Sequence, residues 1–141
     1  MLKTTLLHPE ILSALGRAGH GTRVLIADGN YPFTTGSPPT AERVFLNLMP
    51  GMVKVTDVLR ALVDAIPIEA AAVMLPADGA AQPIHAEFRE LLPAGLELTE
   101  LKRFEFYDEV RQPHTQLVIA TGEGRRFANL LLTIGVVRAE E

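Results

Sequence analysis

The chain is 141 residues long, 48% hydrophobic and 21% charged, with a net charge of −4. That balance fits a globular chain of about one domain and argues against disorder and against a basic nucleic-acid binder. There is no cysteine, so neither a disulfide framework nor a thiolate metal site is open to it.

Met1-Leu2-Lys3-Thr4-Thr5 lacks the apolar region of a signal peptide. No apolar run approaches the ~18–20 residues of a membrane span. The expectation is one cytoplasmic domain over residues 1–141, with no membrane or nucleic-acid partner. His8-Pro9-Glu10 opens a helix, since proline suits the first helical position and an acid suits the first turn. Ile11, Leu12, Leu15 and Ala18 share one face, and Gly19 is a natural stop. Gly19-His20-Gly21 makes a tight turn into Val24-Leu25-Ile26-Ala27, an apolar run that reads as a strand covered on both faces. Asp28 stands where that strand leaves the sheet, the edge at which open α/β sheets bind ligands.

Residues 29–39 form a loop rich in turn formers that carries Tyr31 and Phe33. A short strand is expected over 43–48. Val55, Val58, Leu59, Leu62, Val63 and Ile66 then recur at helical spacing until Pro67 ends the run. Residues 69–75 read as a buried strand whose three alanines admit a closely packed helix. Pro83 opens a helix with Ile84, Phe88, Leu91 and Leu92 on one face. Residues 96–101 suit a strand. Over 102–111 the pattern is mixed, because Phe104 and Phe106 alternate as in a strand while Phe106 and Val110 form a helical pair; a short helix is the preferred reading. Strands over 116–120 and 130–137 flank the loop 122–129. Strands alternating with helices give an α/β layered, Rossmann-like fold with a mainly parallel central sheet flanked by helices.

The motifs of several enzyme classes are missing. The chain has no HExxH, no GxSxG elbow and no P-loop. Gly122-Glu123-Gly124-Arg125-Arg126 imitates a phosphate loop but lacks its Gly-Lys-Ser/Thr ending. What remains is a polar set near strand ends, His20, Asp28, Arg103, Glu123 and Asn129, with the aromatics Tyr31, Tyr107 and Phe127. Carboxylate, guanidinium and carboxamide groups beside rings suit a sugar, whose hydroxyl pairs they chelate and whose C–H faces the rings cover. His20 alone of the set has an unperturbed pKa near neutrality, as proton transfer at pH 7 requires. Taken singly, each of these residues is more often structural: Arg103 a surface charge, Asn129 a turn residue, Tyr107 packing.

The motifs in combination resemble the D-ribose pyranase / L-fucose mutarotase family (RbsD/FucU type). These are Met-Leu-Lys at the N-terminus, a helix ending in Gly-His-Gly, a strand ending in Asp28, Arg103-Phe104-Glu105-Phe106-Tyr107, and the closing Thr-Gly-Glu-x-x-x-Phe-Ala-Asn-x-x-Leu-x-x-Gly-Val. The resemblance runs almost end to end. It is closer to the fucose branch, because the ribose branch carries a histidine near Arg103. It implies an isomerase of sugar anomers, most simply of L-fucose or a related sugar, that needs no cofactor or metal. His20 would be the proton donor, with Asp28, Arg103, Phe127 and Asn129 at sugar-binding positions and Tyr31, Tyr107 and Glu123 as further candidates. A homo-oligomer, a decameric ring or smaller, with the site at a subunit interface is also implied. The family usually has tyrosine where this chain has Phe127, so one hydroxyl is missing; Tyr31 and Tyr107 are the candidates to replace it. The alternatives are a non-catalytic sugar-binding protein of the same fold and an unrelated scaffold. His20 and Asp28 lie eight residues apart with a strand between them. At ~3.3 Å per residue they stand at least about 15 Å apart, so one sugar cannot readily touch both from the same copy.

Overall fold

Proline and glycine punctuate the chain where the sequence pattern expects, and the computed structural model, which describes residues 1–140, forms ten elements between them. α1 (Pro9–Arg17) starts with proline, and its N-cap His8 accepts the Ile11 N–H through the ring. β1 (Arg23–Ala27) and β2 (Glu42–Phe45) precede α2 (Val55–Val63) and β3 (Ile68–Leu75). α3 (Pro83–Leu91), β4 (Leu98–Lys102), α4 (Arg103–Val110), β5 (Thr115–Ala120) and β6 (Leu130–Ile134) complete the chain. The ambiguous segment is a helix. Phe106 and Val110, one turn apart, are both fully buried, whereas Phe104 is 73% exposed.

The six strands form one sheet in the order β2-β5-β1-β6-β3-β4. β1 and β2 both pair with β5 in parallel, and β3 pairs with β4 in parallel. β6 runs antiparallel between β1 and β3. The sheet is thus mainly parallel, with one reversed strand that apolar patterning does not distinguish. β6 also ends earlier than its apolar run, because the Gly135 N–H leaves the ladder for the Pro67 carbonyl.

Both faces are covered, which explains the near-continuous apolar strands. On one face α1, α2 and α3 bring Ile11, Leu59, Leu62, Ile84 and Phe88 onto Val24, Ile26, Ile119, Leu130 and Leu132. Burying a side chain the size of Phe88 contributes ~1.5–3 kcal/mol. On the other face α4 packs Phe106 and Val110, with Tyr31 from the loop after β1, onto Leu25, Ala27, Met74, Val118 and Leu131. The three alanines of β3 do not all lie under a helix: Ala71 is buried, Ala72 half-buried and Ala70 exposed.

The alternation of parallel strands sets the position of the site. The carboxyl ends of β1, β3, β4 and β5 and the amino end of β6 all reach one edge of the sheet. Asp28, Arg103 and Asn129 leave the sheet there. The Gly19-His20-Gly21 turn sits at the opposite edge, tied by the Gly21 N–H to the Ile134 carbonyl.

Candidate active site

The carboxyl edge holds a cavity of about 390 Å³, toward the lower end of the size range of small-molecule sites. Its wall contains Asp28, Asn129, Arg103, Phe127, Tyr31 and Tyr107, six of the eight residues expected from the sequence.

Asp28 and Asn129 form its fixed polar floor. Asp28 is 3% exposed and Asn129 4%. The Asp28 carboxylate accepts backbone N–H groups from Asn30 at 3.0 Å and Ala128 at 3.3 Å. The backbone N–H of Asp28 donates to Asn129 Oδ1 at 2.7 Å. Because that donor is a main-chain N–H, it assigns the oxygen of Asn129 and leaves the side-chain NH₂ free for a ligand. Burial pushes the Asp28 carboxyl above the usual carboxylate range despite these bonds, and the Glu123 charge adds to the rise. The Asp28 carboxylate oxygens accept and the Asn129 NH₂ donates, so the floor, held by main chain, forms a preset acceptor–donor couple for adjacent hydroxyls.

The rings and cations form the walls. Tyr31 and Tyr107 lie 5.4 Å apart, centroid to centroid. The Arg103 guanidinium sits 5.6 Å over both Phe104 and Tyr107. Phe127 has φ of 58°, the left-handed region that non-glycine residues seldom adopt. Such strain costs on the order of 1–3 kcal/mol and gathers at functional sites. His85 sustains the turn. It is 2% exposed on α3, and its Nε2–H donates to the Phe127 carbonyl at 2.9 Å. Burial holds its imidazole below the ordinary histidine value, hence neutral.

The geometry sets three of the candidate residues apart from the cavity's free polar groups. His20 does not reach this cavity. It lies at the opposite edge, 58% exposed, with Nε2 on the Glu69 carboxylate at 2.9 and 3.0 Å, because β1 runs the full depth of the sheet between it and Asp28. Glu123 turns away from the cavity. Its buried carboxylate accepts the Val55 N–H at the start of α2 and is clamped by the Arg125 guanidinium and N–H. Desolvation pushes its pKa up, but the Arg125 bonds and charge outweigh it and the net shift is downward. That residue therefore caps a helix and ties down the loop, and the anion-loop imitation is already filled by the chain's own carboxylate. Gly122 serves close approach instead, since a Cβ there would collide with the Met49 and Met52 carbonyl oxygens. Tyr31 lends its ring but not its hydroxyl, which donates to the Gly36 carbonyl at 2.6 Å. Tyr107 is the half-buried tyrosine whose hydroxyl makes no bond among the described residues.

Sequence reasoning missed Met74, Asn30 and Arg126 in the wall, and His85 behind it. Met74 and Arg126 carried a positional signal, since one is the penultimate residue of β3 at the carboxyl edge and the other precedes Phe127. His85 had none, because a histidine inside an amphipathic helix reads as surface. Among the described residues no group of three or more His, Cys, Asp or Glu is arranged to hold a metal ion, and no helix is long and apolar enough to cross a membrane.

The chain is similar to known proteins along nearly its whole length. The chain is 33% identical to a fucose mutarotase of Danio rerio, over 97% of this chain and 94% of that one. It is 32% identical to a D-ribose pyranase of Paracidovorax citrulli, over 96% and 98%. The structure of Bacillus subtilis RbsD complexed with D-ribose superposes with a TM-score of 0.81 at 27% identity, covering 98% of this chain and all of that one (100%). FucU of Bifidobacterium longum gives 0.78 at 31% identity, over 93% and 95%. The RbsD / FucU transport protein family model matches residues 1–137, and the chain belongs to that family.

Proposed function

We propose that the protein is a monosaccharide mutarotase, an isomerase that exchanges the anomers of an aldose, with L-fucose or a close relative as substrate. The observation that carries this reading is the convergence of Asp28, Asn129, Arg103 and the Tyr107 and Phe127 rings on one cavity. Relatives bearing the names fucose mutarotase and D-ribose pyranase support the activity class. The Arg103-to-Tyr107 segment supports the fucose branch.

Anomer exchange takes a proton from the O1 hydroxyl and gives one to the ring oxygen. The C1–O5 bond breaks, the aldehyde turns about C1–C2, and closure reverses both transfers on the other face. One positioned acid/base contributes ~10²–10⁴-fold, which suffices for a reaction that already runs in water. Asp28 and the Asn129 amide hold a hydroxyl pair, Arg103 a further hydroxyl, and Phe127 covers a C–H face. The Tyr107 hydroxyl supplies the donor that Phe127 lacks.

The proton carrier is His20 of a second copy. In its own chain it stands at the far edge of the sheet, exposed on a glycine turn and held by Glu69. A second copy also gives cover to Phe104, exposed beside the cavity. Here the site is made of two halves, Asp28 from one subunit and His20 from its neighbour.

Magnetisation-transfer NMR on L-fucose, D-ribose and a panel of other aldoses tests the reading. Exchange faster than in buffer, abolished in His20→Ala, is expected. A second reading, sugar binding without catalysis, is favoured by the missing hydroxyl at Phe127. Calorimetric binding with no gain in exchange for any sugar establishes that reading and ends the first.

A further inference from the structure

The mouth of the site carries more positive charge than a neutral sugar requires. A second, larger groove of about 850 Å³ adjoins the cavity and shares Arg103, Arg126 and Phe127 with it. The walls of the two together hold three cations, Lys102, Arg103 and Arg126, against two carboxylates, Asp28 and Asp78. Both carboxylates already accept backbone N–H groups. The patch is therefore net positive on a chain whose net charge is −4.

None of the three cations has an ion-pair partner among the described residues, although six other arginines do. The two arginines are nevertheless placed. Arg126 sits 5.6 Å over the Phe127 ring, and Arg103 at the same distance over Phe104 and Tyr107. Neither guanidinium donates a hydrogen bond among the described residues, so the fork of N–H donors that matches a carboxylate or a phosphate stays free while the ring holds the charge in place. The Asp28 carboxylate on the floor repels an anion, so a charged substituent faces outward to the mouth.

We propose that the substrate is not neutral L-fucose itself but a related aldose carrying an anionic group, carboxylate or phosphate, remote from its anomeric carbon. Arg126 and Arg103 receive that group, with Lys102 adding to the field. The proposal rests on the mutarotase reading and specifies its substrate class.

The test compares matched sugars. Anomer exchange is measured by magnetisation transfer for D-galactose, D-galacturonate and D-galactose 6-phosphate, and for the corresponding glucose series. The expected result is a kcat/KM at least about tenfold higher for an anionic member than for its neutral parent, shrinking as salt rises because exposed charges are screened beyond ~8 Å at physiological ionic strength. The uronates and the phosphates are separate arms, so the rates also tell which anion the mouth fits. Arg126→Gln should cut the anionic-to-neutral ratio about tenfold, and Arg126→Lys should restore part of it. The ratio is internal to each variant, so partial loss of folded protein does not move it. Equal rates for charged and neutral sugars, or a ratio unmoved by Arg126→Gln, overturn the proposal. If no sugar exchanges at all, with L-fucose and D-ribose run alongside, the mutarotase reading fails. Calorimetry with D-galacturonate and D-galactose then decides the anion proposal separately: tighter binding of the uronate, weakened by Arg126→Gln, keeps it, and equal or absent binding ends it.

Discussion

The two ends of β1 are built on opposite principles. At the carboxyl end Asp28 is desolvated, bonded by main-chain N–H groups and backed by a strained Phe127 turn. At the amino end His20 is exposed, on a glycine turn, with Nε2 hydrogen-bonded to the Glu69 carboxylate. Preorganisation against burial is expensive, and proteins sustain it where charge must be positioned. An exposed histidine beside a surface carboxylate is inexpensive and does little alone. The contrast teaches that one copy holds a finished binding floor and an unfinished acid, which is why the proposed site joins two copies.

The most severe way to break this comparison is to remove each end in turn. Asp28→Asn and His20→Ala should each lower anomer exchange by ~10²–10⁴-fold. Co-assembled from separately tagged chains, the two variants should recover activity, since in a closed assembly about a quarter of the shared sites regain both groups. No recovery in verified mixed oligomers would place both groups' roles within one copy and defeat the shared site.

The next effect tests what holds the carboxyl end rigid. His85→Ala removes the bond to the Phe127 carbonyl and leaves a cavity beside Phe88, whose ring the imidazole stacks on at 6.0 Å. Loss of about 2–3 kcal/mol is expected in denaturant unfolding, with weaker sugar binding as the turn relaxes. The pH sign follows from the lowered folded pKa. The unfolded chain takes up a proton near pH 6.5 while folded His85 stays neutral to lower pH. Its contribution is full above about pH 6.5 and fades as pH falls toward the folded value. The His85→Ala variant should show a shallower loss of stability below that point than the wild type. Tyr31→Phe, which orphans the buried Gly36 carbonyl, should cost about 1–2 kcal/mol without removing a ring from the cavity wall.

A smaller change sharpens the comparison from the ligand side. Phe127→Tyr returns a hydroxyl to the wall and should tighten sugar binding or speed exchange by several-fold, the worth of one hydrogen bond at about 1 kcal/mol. If Tyr107 already supplies that donor, Phe127→Tyr should gain more in a Tyr107→Phe background than in the wild type. Measuring kcat/KM in both backgrounds reads this directly.

These contrasts also mark how far residue order carries. The elements were legible because proline and glycine bound almost every one, from Pro9 at the start of α1 to Gly135 after β6. Asp28, Arg103 and Asn129 were legible as ends of strands, and eight residues between His20 and Asp28 already implied separate edges. The direction of β6 was not, since a reversed strand buried on both faces has the same apolar run as a parallel one. Glu123 was misplaced for a local reason: Arg125, two residues on, takes its charge, and the start of α2 takes its remaining lone pair. Arg126 was passed over because a second arginine in a loop looks like solvent-facing charge; only the fold sets it over the Phe127 ring at the cavity mouth.

The weakest expected effect lies at the amino end. Glu69→Gln replaces a carboxylate that is 44% exposed and paired with a histidine 58% exposed. Exposed pairs of this kind contribute ~0–1 kcal/mol, so the melting temperature should barely move. Exchange activity should respond more than stability, because the pair fixes which imidazole nitrogen faces outward: with Nε2 held by Glu69, Nδ1 is the nitrogen left for a sugar on the neighbouring copy. Loss of activity at constant melting temperature is therefore the outcome that fits a half-site. A melting temperature that falls with activity untouched would instead make the His20–Glu69 pair an ordinary clamp between the start of β3 and the turn before β1.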